Sequence, residues 1–203
     1  MKIVEFRGVD NLVACEVTKD DNDPSGGYKT GEVFELAGVA EISKTTATST
    51  ETKYYDNVPA LVMDSEGSDE ITITASVPDL ATYAKIAGKD IDEATGAMID
   101  GLRTPKYFAL GYRMRKTDGT YRYVWRLKGQ FSIPDEVSST ENEGTDTHNT
   151  QLKYTGISTT HKFTKTGKPA KAVVVDDTAE SKADVSEFFD KVTDPDTLAA
   201  KGA

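Results

Sequence analysis

The segment from Pro105 to Phe131 constrains the fold of this chain more than any other. YFALGYRMRKT and TYRYVWRLKG flank Asp118-Gly119, a dipeptide that closes two-residue β-hairpins because both of its residues tolerate positive φ. A turn of that kind fixes the register of the two strands. It predicts Met114 opposite Tyr123, Tyr112 opposite Trp125 and Leu110 opposite Leu127, forming one aromatic-rich face against a core. The opposite face would pair Arg115 with Arg122 and set Arg113, Arg126 and Lys128 nearby.

The charge on that second face calls for a partner. Between Arg103 and Lys128 there are eight basic residues against one acid, so the segment carries +7 and the rest of the chain −17, for a net −10. Like charges placed directly opposite destabilise a hairpin. An anionic cover is therefore expected, from carboxylates of the same chain or of a neighbouring copy; a solvated face softened by salt is the plainer alternative. An acidic body with a basic ribbon favours head-to-tail attraction between copies, a heterologous contact that generates rings or filaments. The overall charge argues against a nucleic-acid binder, since phosphates are repelled.

Elsewhere the alternation of the chain is β-like. In Asn11 to Thr18, Val13, Cys15 and Val17 share one face, and in Glu70 to Val77 the set is Ile71, Ile73, Ala75 and Val77. Weaker strand patterns cover Glu32 to Ile42, Gln151 to Phe163 and Lys171 to Val175. Asp79 caps a predicted helix, LATYAKIAG, with Leu80, Tyr83, Ala84 and Ala87 on one stripe and a stop at Gly88. A second short helix is predicted over Asp184 to Val192, with Val185, Phe188, Phe189 and Val192 inward. Two polar stretches read as long loops: Ser43 to Lys53, with seven Ser/Thr in eleven residues, and Ser138 to Thr150, with no apolar residue. The expected fold is mainly β, a β-sandwich or partial barrel with one flanking α-helix and long polar loops. With 37% hydrophobic residues the core is lean, which suits a chain completed by contacts with other subunits.

Chemistry-bearing patterns are sparse. DNDPSGGYKTGE, Asp21 to Glu32, matches the spacing of a calcium loop through Asp21, Asp23, Ser25 and Glu32. Strand-like sequence flanks it on both sides, however, and Pro24 fixes φ inside it. The expected structure is a solvated hairpin loop, with no metal or other cofactor. Only two histidines occur, His148 and His161, and no nucleophile elbow, phosphate-cradling loop or zinc spacing is present. Cys15 lies on the apolar face of a strand and reads as core. The expectation is a protein that is not an enzyme. MKIVEFRGVD lacks the apolar core of a secretion signal, and no run approaches the length of a membrane span. Synthesis in a cytoplasm, with no membrane association, is expected.

Several phrases in order carry a resemblance over about residues 1 to 165: VTKDD, GEVFELAGVAEIS, KYYDNVPA, EITITASVPDLATYAKIAGK, PKYFALGYRMRKTDGTYRYVWRLKGQFSIP and QLKYTGISTTHKF. In these the chain resembles the major tail protein of long-tailed, non-contractile bacteriophages. The resemblance implies a tail-tube β domain over 1–165, with a C-terminal extension over 166–203 bearing the short helix. It implies hexameric rings closed through edge strands, stacked into a tube through which genomic DNA passes without specific binding. The protein would be assembled in the bacterial host and located in the virion tail. Tape-measure and tail terminator or baseplate proteins would be partners. The 43–56 loop would reach the neighbouring ring, which makes Thr45, Thr46, Thr48, Tyr54, Tyr55 and Asp56 contact candidates. Arg113, Arg115, Arg122, Arg126 and Lys128 are placed at a subunit contact, because arginines lining the bore would drag on DNA. The competing reading is a β-sandwich binding module for carbohydrate or a cell surface, with Tyr107, Tyr112, Tyr121, Tyr123 and Trp125 as stacking platforms.

Overall fold

A computed structural model describes residues 3–23, 27–135 and 149–202. Pro24, Ser25, His148 and most of the 138–150 stretch lie outside the described residues. In chain order the elements are β1 (Phe6–Asp20), β2 (Tyr28–Glu35), β3 (Val39–Tyr55), β4 (Val58–Ala75), α1 (Leu80–Ala87), β5 (Asp90–Ile91), β6 (Met98–Ile99), β7 (Phe108–Lys116), β8 (Tyr121–Phe131), β9 (Thr150–Gly156) and β10 (Ala172–Asp177). Eight strands form one sheet in the order β2-β1-β7-β8-β9-β4-β3, with β10 also paired to β8, and β5-β6 form a separate two-stranded ladder. All pairings are antiparallel. The fold is mainly β with one helix, as the alternation implies; the end strands β2 and β3 do not pair, so the sheet is not closed into a barrel.

The central hairpin forms where the sequence places it, but its register is one residue away from the predicted one. Arg115 lies opposite Tyr121, Arg113 opposite Tyr123, Tyr112 opposite Val124, Gly111 opposite Trp125 and Leu110 opposite Arg126. The cause is the turn. Gly119 has φ 87, whereas Asp118 is not among the positive-φ residues, so the two do not form the mirror-image turn expected of Asp-Gly. Instead the Lys116 N–H bonds the Thr120 carbonyl and Gly119 N–H returns to the Lys116 carbonyl. This is a three-residue loop, Thr117-Asp118-Gly119, with glycine in its left-handed position. A one-residue slip regroups the side chains. Leu110, Tyr112 and Met114 now share a face with Val124, while Ala109 shares the other with Trp125 and Leu127. The single aromatic face does not exist; both faces are apolar.

Two cores result, one on each side of the sheet. The first gathers Leu12, Ile71, Ile73, Phe108, Leu110, Leu152 and Tyr154 under Ile86 of α1. The second gathers Val13, Cys15, Trp125, Leu127 and Val175 under Phe163, Phe188 and Val192. The indole of Trp125 lies against Gly111, where an added Cβ would come within 3.0 Å of the ring, and its Nε1–H donates to the Phe188 carbonyl at 2.7 Å. Residues after Lys165 thus supply both a strand of the main sheet and the cover of the second core.

Strand β8 is a branch point. Tyr121 to Arg126 pair with β10, whereas Gly129 to Phe131 pair with β9. Between them lies a bulge: Phe108 faces Gly129, but Leu110 faces Arg126. The extra residue lets Val124 and Phe131 face the same core.

Helix α1 begins at Asp79, which accepts from the Thr82 N–H at 2.9 Å, and ends at Gly88 in the left-handed conformation. Its buried residues are Ala84, Ile86 and Ala87; Ala84 and Ala87 face inward as predicted and Tyr83 is half-buried, while Leu80 is exposed and Ile86 is buried instead. Val77 lies beyond the end of β4 and is also exposed. The predicted strand over 32–42 is interrupted between Glu35 and Val39, and that over 151–163 ends at Gly156. The predicted helix over 184–192 is absent. Phe188 and Val192 are buried as expected, but bonds such as Phe188 N–H to the Val185 carbonyl and Asp190 N–H to the Glu187 carbonyl hold the segment in successive turns. A helix this short does not offset its nucleation cost, and packing fixes another geometry.

Candidate functional site

The Ser/Thr-rich segment predicted as a loop is a β-strand. β3 pairs with β4 from Val39 opposite Ala75 to Tyr55 opposite Val58. The turn is Asp56-Asn57, with φ 50 and 64, the positive pair that a two-residue mirror-image turn requires. Threonine favours extended backbone, so seven Ser/Thr in eleven residues build a strand once a partner lies beside them. Beyond Asp69 the partner stands alone: β9 covers only Asp69 to Ala75 of β4. The two strands therefore continue as a free ribbon from about Thr48 and Glu66 to the turn. At ~3.4 Å per residue it extends for about 25 Å.

The ribbon is apolar at its far end. Tyr55, Val58, Leu61 and Met63 alternate onto one face, while Tyr54, Pro59 and Val62 take the other. Tyr54 is 66% exposed, Tyr55 64%, Val58 60% and Val62 58%. At the base, Thr46 donates to Asp69 at 2.8 Å, so this candidate contact residue is a latch inside the chain. Thr45, opposite Glu70, and Thr48, opposite Glu66, are exposed. Lys171 donates to Glu66 at 2.6 Å and to the Gly67 carbonyl, tying the neck of the ribbon to the start of β10.

The basic residues of the hairpin are mostly covered by carboxylates of the same chain. Arg113 donates to both oxygens of Asp10 at 2.8 and 3.1 Å. Arg122 does the same with Asp176 at 2.6 and 2.8 Å, and Lys116 joins that carboxylate at 2.8 Å. Arg126 holds Asp69 at 3.0 Å and Lys128 holds Asp20 at 2.5 Å. Asp10 and Asp176 are the direct cross-strand partners of Arg113 and Arg122. Arg115 is different: it is exposed and makes no ion pair among the described residues. The expected row of facing arginines is dispersed, because the shifted register puts a tyrosine opposite both Arg113 and Arg115.

The buried carboxylates are held ionised by these partners. Burial pushes the Asp20 carboxyl up, but Lys128 and the N–H groups of Thr160 and His161 outweigh it and set it below the usual range. At Asp69 burial is likewise outweighed, by the Thr46 hydroxyl, Arg126, Lys44 and Lys171. The Arg122 pair, assisted by Lys116, holds Asp176 well below the usual range.

Of the calcium-like stretch, expected as a loop throughout, Tyr28 to Glu32 belong to strand β2, and the Asp21 N–H bonds the Gly27 carbonyl just before it. Lys19 Nζ lies 3.0 Å from Asp23 and 3.4 Å from Asp21, so an ammonium sits between the carboxylates that would lead a calcium site. Among the described residues no three His, Cys, Asp or Glu side chains converge as a metal site. Cys15 is fully buried and donates its S–H to the Gly31 carbonyl. Of the candidate stacking aromatics, Trp125 and Tyr112 are buried, Tyr121 and Tyr123 are half-buried, and Tyr107 is exposed with Lys128 Nζ 4.7 Å from its ring. No described helix is long and apolar enough to cross a membrane. No family model matches the chain, and no curated protein matches it.

Proposed function

We propose that the chain is a structural subunit that polymerises, its copies closing into rings that stack as the tail tube of a long-tailed, non-contractile bacteriophage. The observation that carries this reading is the free two-stranded ribbon with its apolar end. A lone hairpin is marginal in water, and exposed apolar clusters mark contact surfaces. A ribbon of this kind gains its order and buries its end when another molecule completes it. The unpaired outer edges of β2 and β3 offer further sites for strand addition between copies. In this reading the chain performs no catalysis and needs no cofactor. An acidic protein repels phosphate, so DNA passing through the bore would slide. Tape-measure and terminator or baseplate proteins would cap the polymer, which is built in the bacterial cytoplasm and ends in the virion.

The test is microscopy with an arm-excised variant, Thr48 to Glu66 replaced by Asn-Gly. Cutting both strands together keeps the remaining β3–β4 pairing intact. Wild-type protein at high concentration should form rings or tubes in negative stain, and the variant should remain a folded monomer. Dispersed wild-type monomers that bind glycans would instead support a recognition module.

A further inference from the structure

We infer that a small oxyanion of the phosphate class binds in a cavity at the root of the β3–β4 ribbon. The cavity holds about 440 Å³. Three cations from separate parts of the chain converge on it: Lys44 of β3, Arg126 of β8 and Lys171 just before β10. β8 pairs with β10 as far as Arg126 and with β9 from Gly129 onward. The cavity opens at that fork in the sheet.

Positive charge is in excess there. Asp69, 2% exposed, is the buried anion of the cluster, and all three cations share it: Arg126 at 3.0 Å, Lys44 at 3.6 Å and Lys171 at 3.7 Å. Its Oδ1 also accepts from the Thr46 hydroxyl at 2.8 Å. Glu66, on the rim, takes Lys171 at 2.6 Å. Three positive charges thus face two negative ones, in a chain whose net charge is −10.

Hydrogen-bond donors are in excess as well. Lys44 Nζ makes one short bond, to the Thr46 hydroxyl at 2.5 Å, out of the three an ammonium can give. Arg126 donates from Nη1 to Asp69 and reaches the Tyr112 hydroxyl only at 3.4 Å, and its Nε is buried with no acceptor among the described residues. Ser158 adds a hydroxyl at the exposed rim. Partly buried cations without full compensation are costly. An anion with several acceptor oxygens takes charge-assisted bonds from lysine and arginine together and cancels the surplus charge. A metal cation would add to that surplus, and an apolar ligand would leave it unmet. The site lies within one molecule, so it stands whether or not the chain polymerises. Once bound, the anion would fasten the ribbon's root to β8 and to the start of β10.

The experiment titrates the full chain with inorganic phosphate at constant ionic strength, chloride making up the balance. Calorimetry reads binding and the melting temperature reads stability. Wild type should bind one phosphate with a Kd of about 1 mM, and its Tm should rise by about 3 °C at tenfold that concentration. Lys44→Gln should weaken binding about fivefold or more, whereas Glu66→Gln, which removes a competing carboxylate, should tighten it by a similar factor. The general salting effect of phosphate on stability does not produce opposite responses at one site. In chloride alone both variants should melt within about 3 °C of wild type. A wild-type chain that takes up no phosphate overturns the inference. So does an affinity that neither substitution moves, or that both move in the same direction.

Discussion

Arg122 and Arg115 lie close together on paired strands, yet their surroundings separate them. Arg122 is held by both oxygens of Asp176 across the β8–β10 ladder, whereas Arg115 projects into solvent opposite a tyrosine. Arg122→Glu would set a carboxylate against Asp176. It should lower monomer stability by about 1–2 kcal/mol, the solvent screening of a half-exposed pair included. Arg115→Glu should leave stability within about 0.5 kcal/mol. Urea midpoints of the two variants check this, and equal midpoints would mean that the Asp176 pair contributes nothing. From sequence, the need for an anion over the arginines was legible; which carboxylates supply it was not. Asp10, Asp20, Asp69 and Asp176 come from segments far from the hairpin, and only strand order brings them there. Arg115 differs from its neighbours only through register, so its isolation had no local signature.

Elements were readable where a local pattern and a buried side agreed. Helix α1 carries its own cap and stop, and both are used. β1 and β4 alternate because one or both of their faces meet a core. β3 gave no such pattern because the outer part of the ribbon has no buried face; its signals were threonine content and the Asp-Asn turn. The hairpin failed in register for a different reason: Asp118-Gly119 serves two turn geometries, and pairing across the sheet selected the three-residue loop. That assignment makes Gly119 the residue under constraint. Gly119→Ala should cost about 1–2 kcal/mol, the ordinary penalty for a side chain in the left-handed region, as measured by thermal or urea unfolding. A neutral result would show that the loop adopts another geometry in solution.

For the molecule as a whole, composition foretold a lean, acidic chain but not its two-sided core. The unbroken apolar run that opens β7, Phe108 to Tyr112, was the trace of burial on both faces, and alternation was the wrong template for it. Acid sensitivity is a property of the same scale. Asp20, Asp69 and Asp176 all have carboxyls depressed in the folded state. The unfolded chain, with ordinary values of about 3.9, therefore takes up protons first as pH falls. Stability from these groups should be full above about pH 4 and drain away below it. Urea midpoints at successive pH values check the window; Asp69→Asn should flatten the decline, and a curve unchanged by that substitution would exclude Asp69 as a contributor.

The neck at Gly67 to Asp69 has a mechanical consequence. β4 runs without a break from the ribbon into the ladder where Asp69 to Ala75 face β9. A pull on the tip along the strand axis loads those cross-strand bonds together, in shear, rather than peeling them one by one. The molecule is thus stiff against tension along its ribbon and compliant to sideways bending at the neck, like a tether sewn in along its length and free to swing.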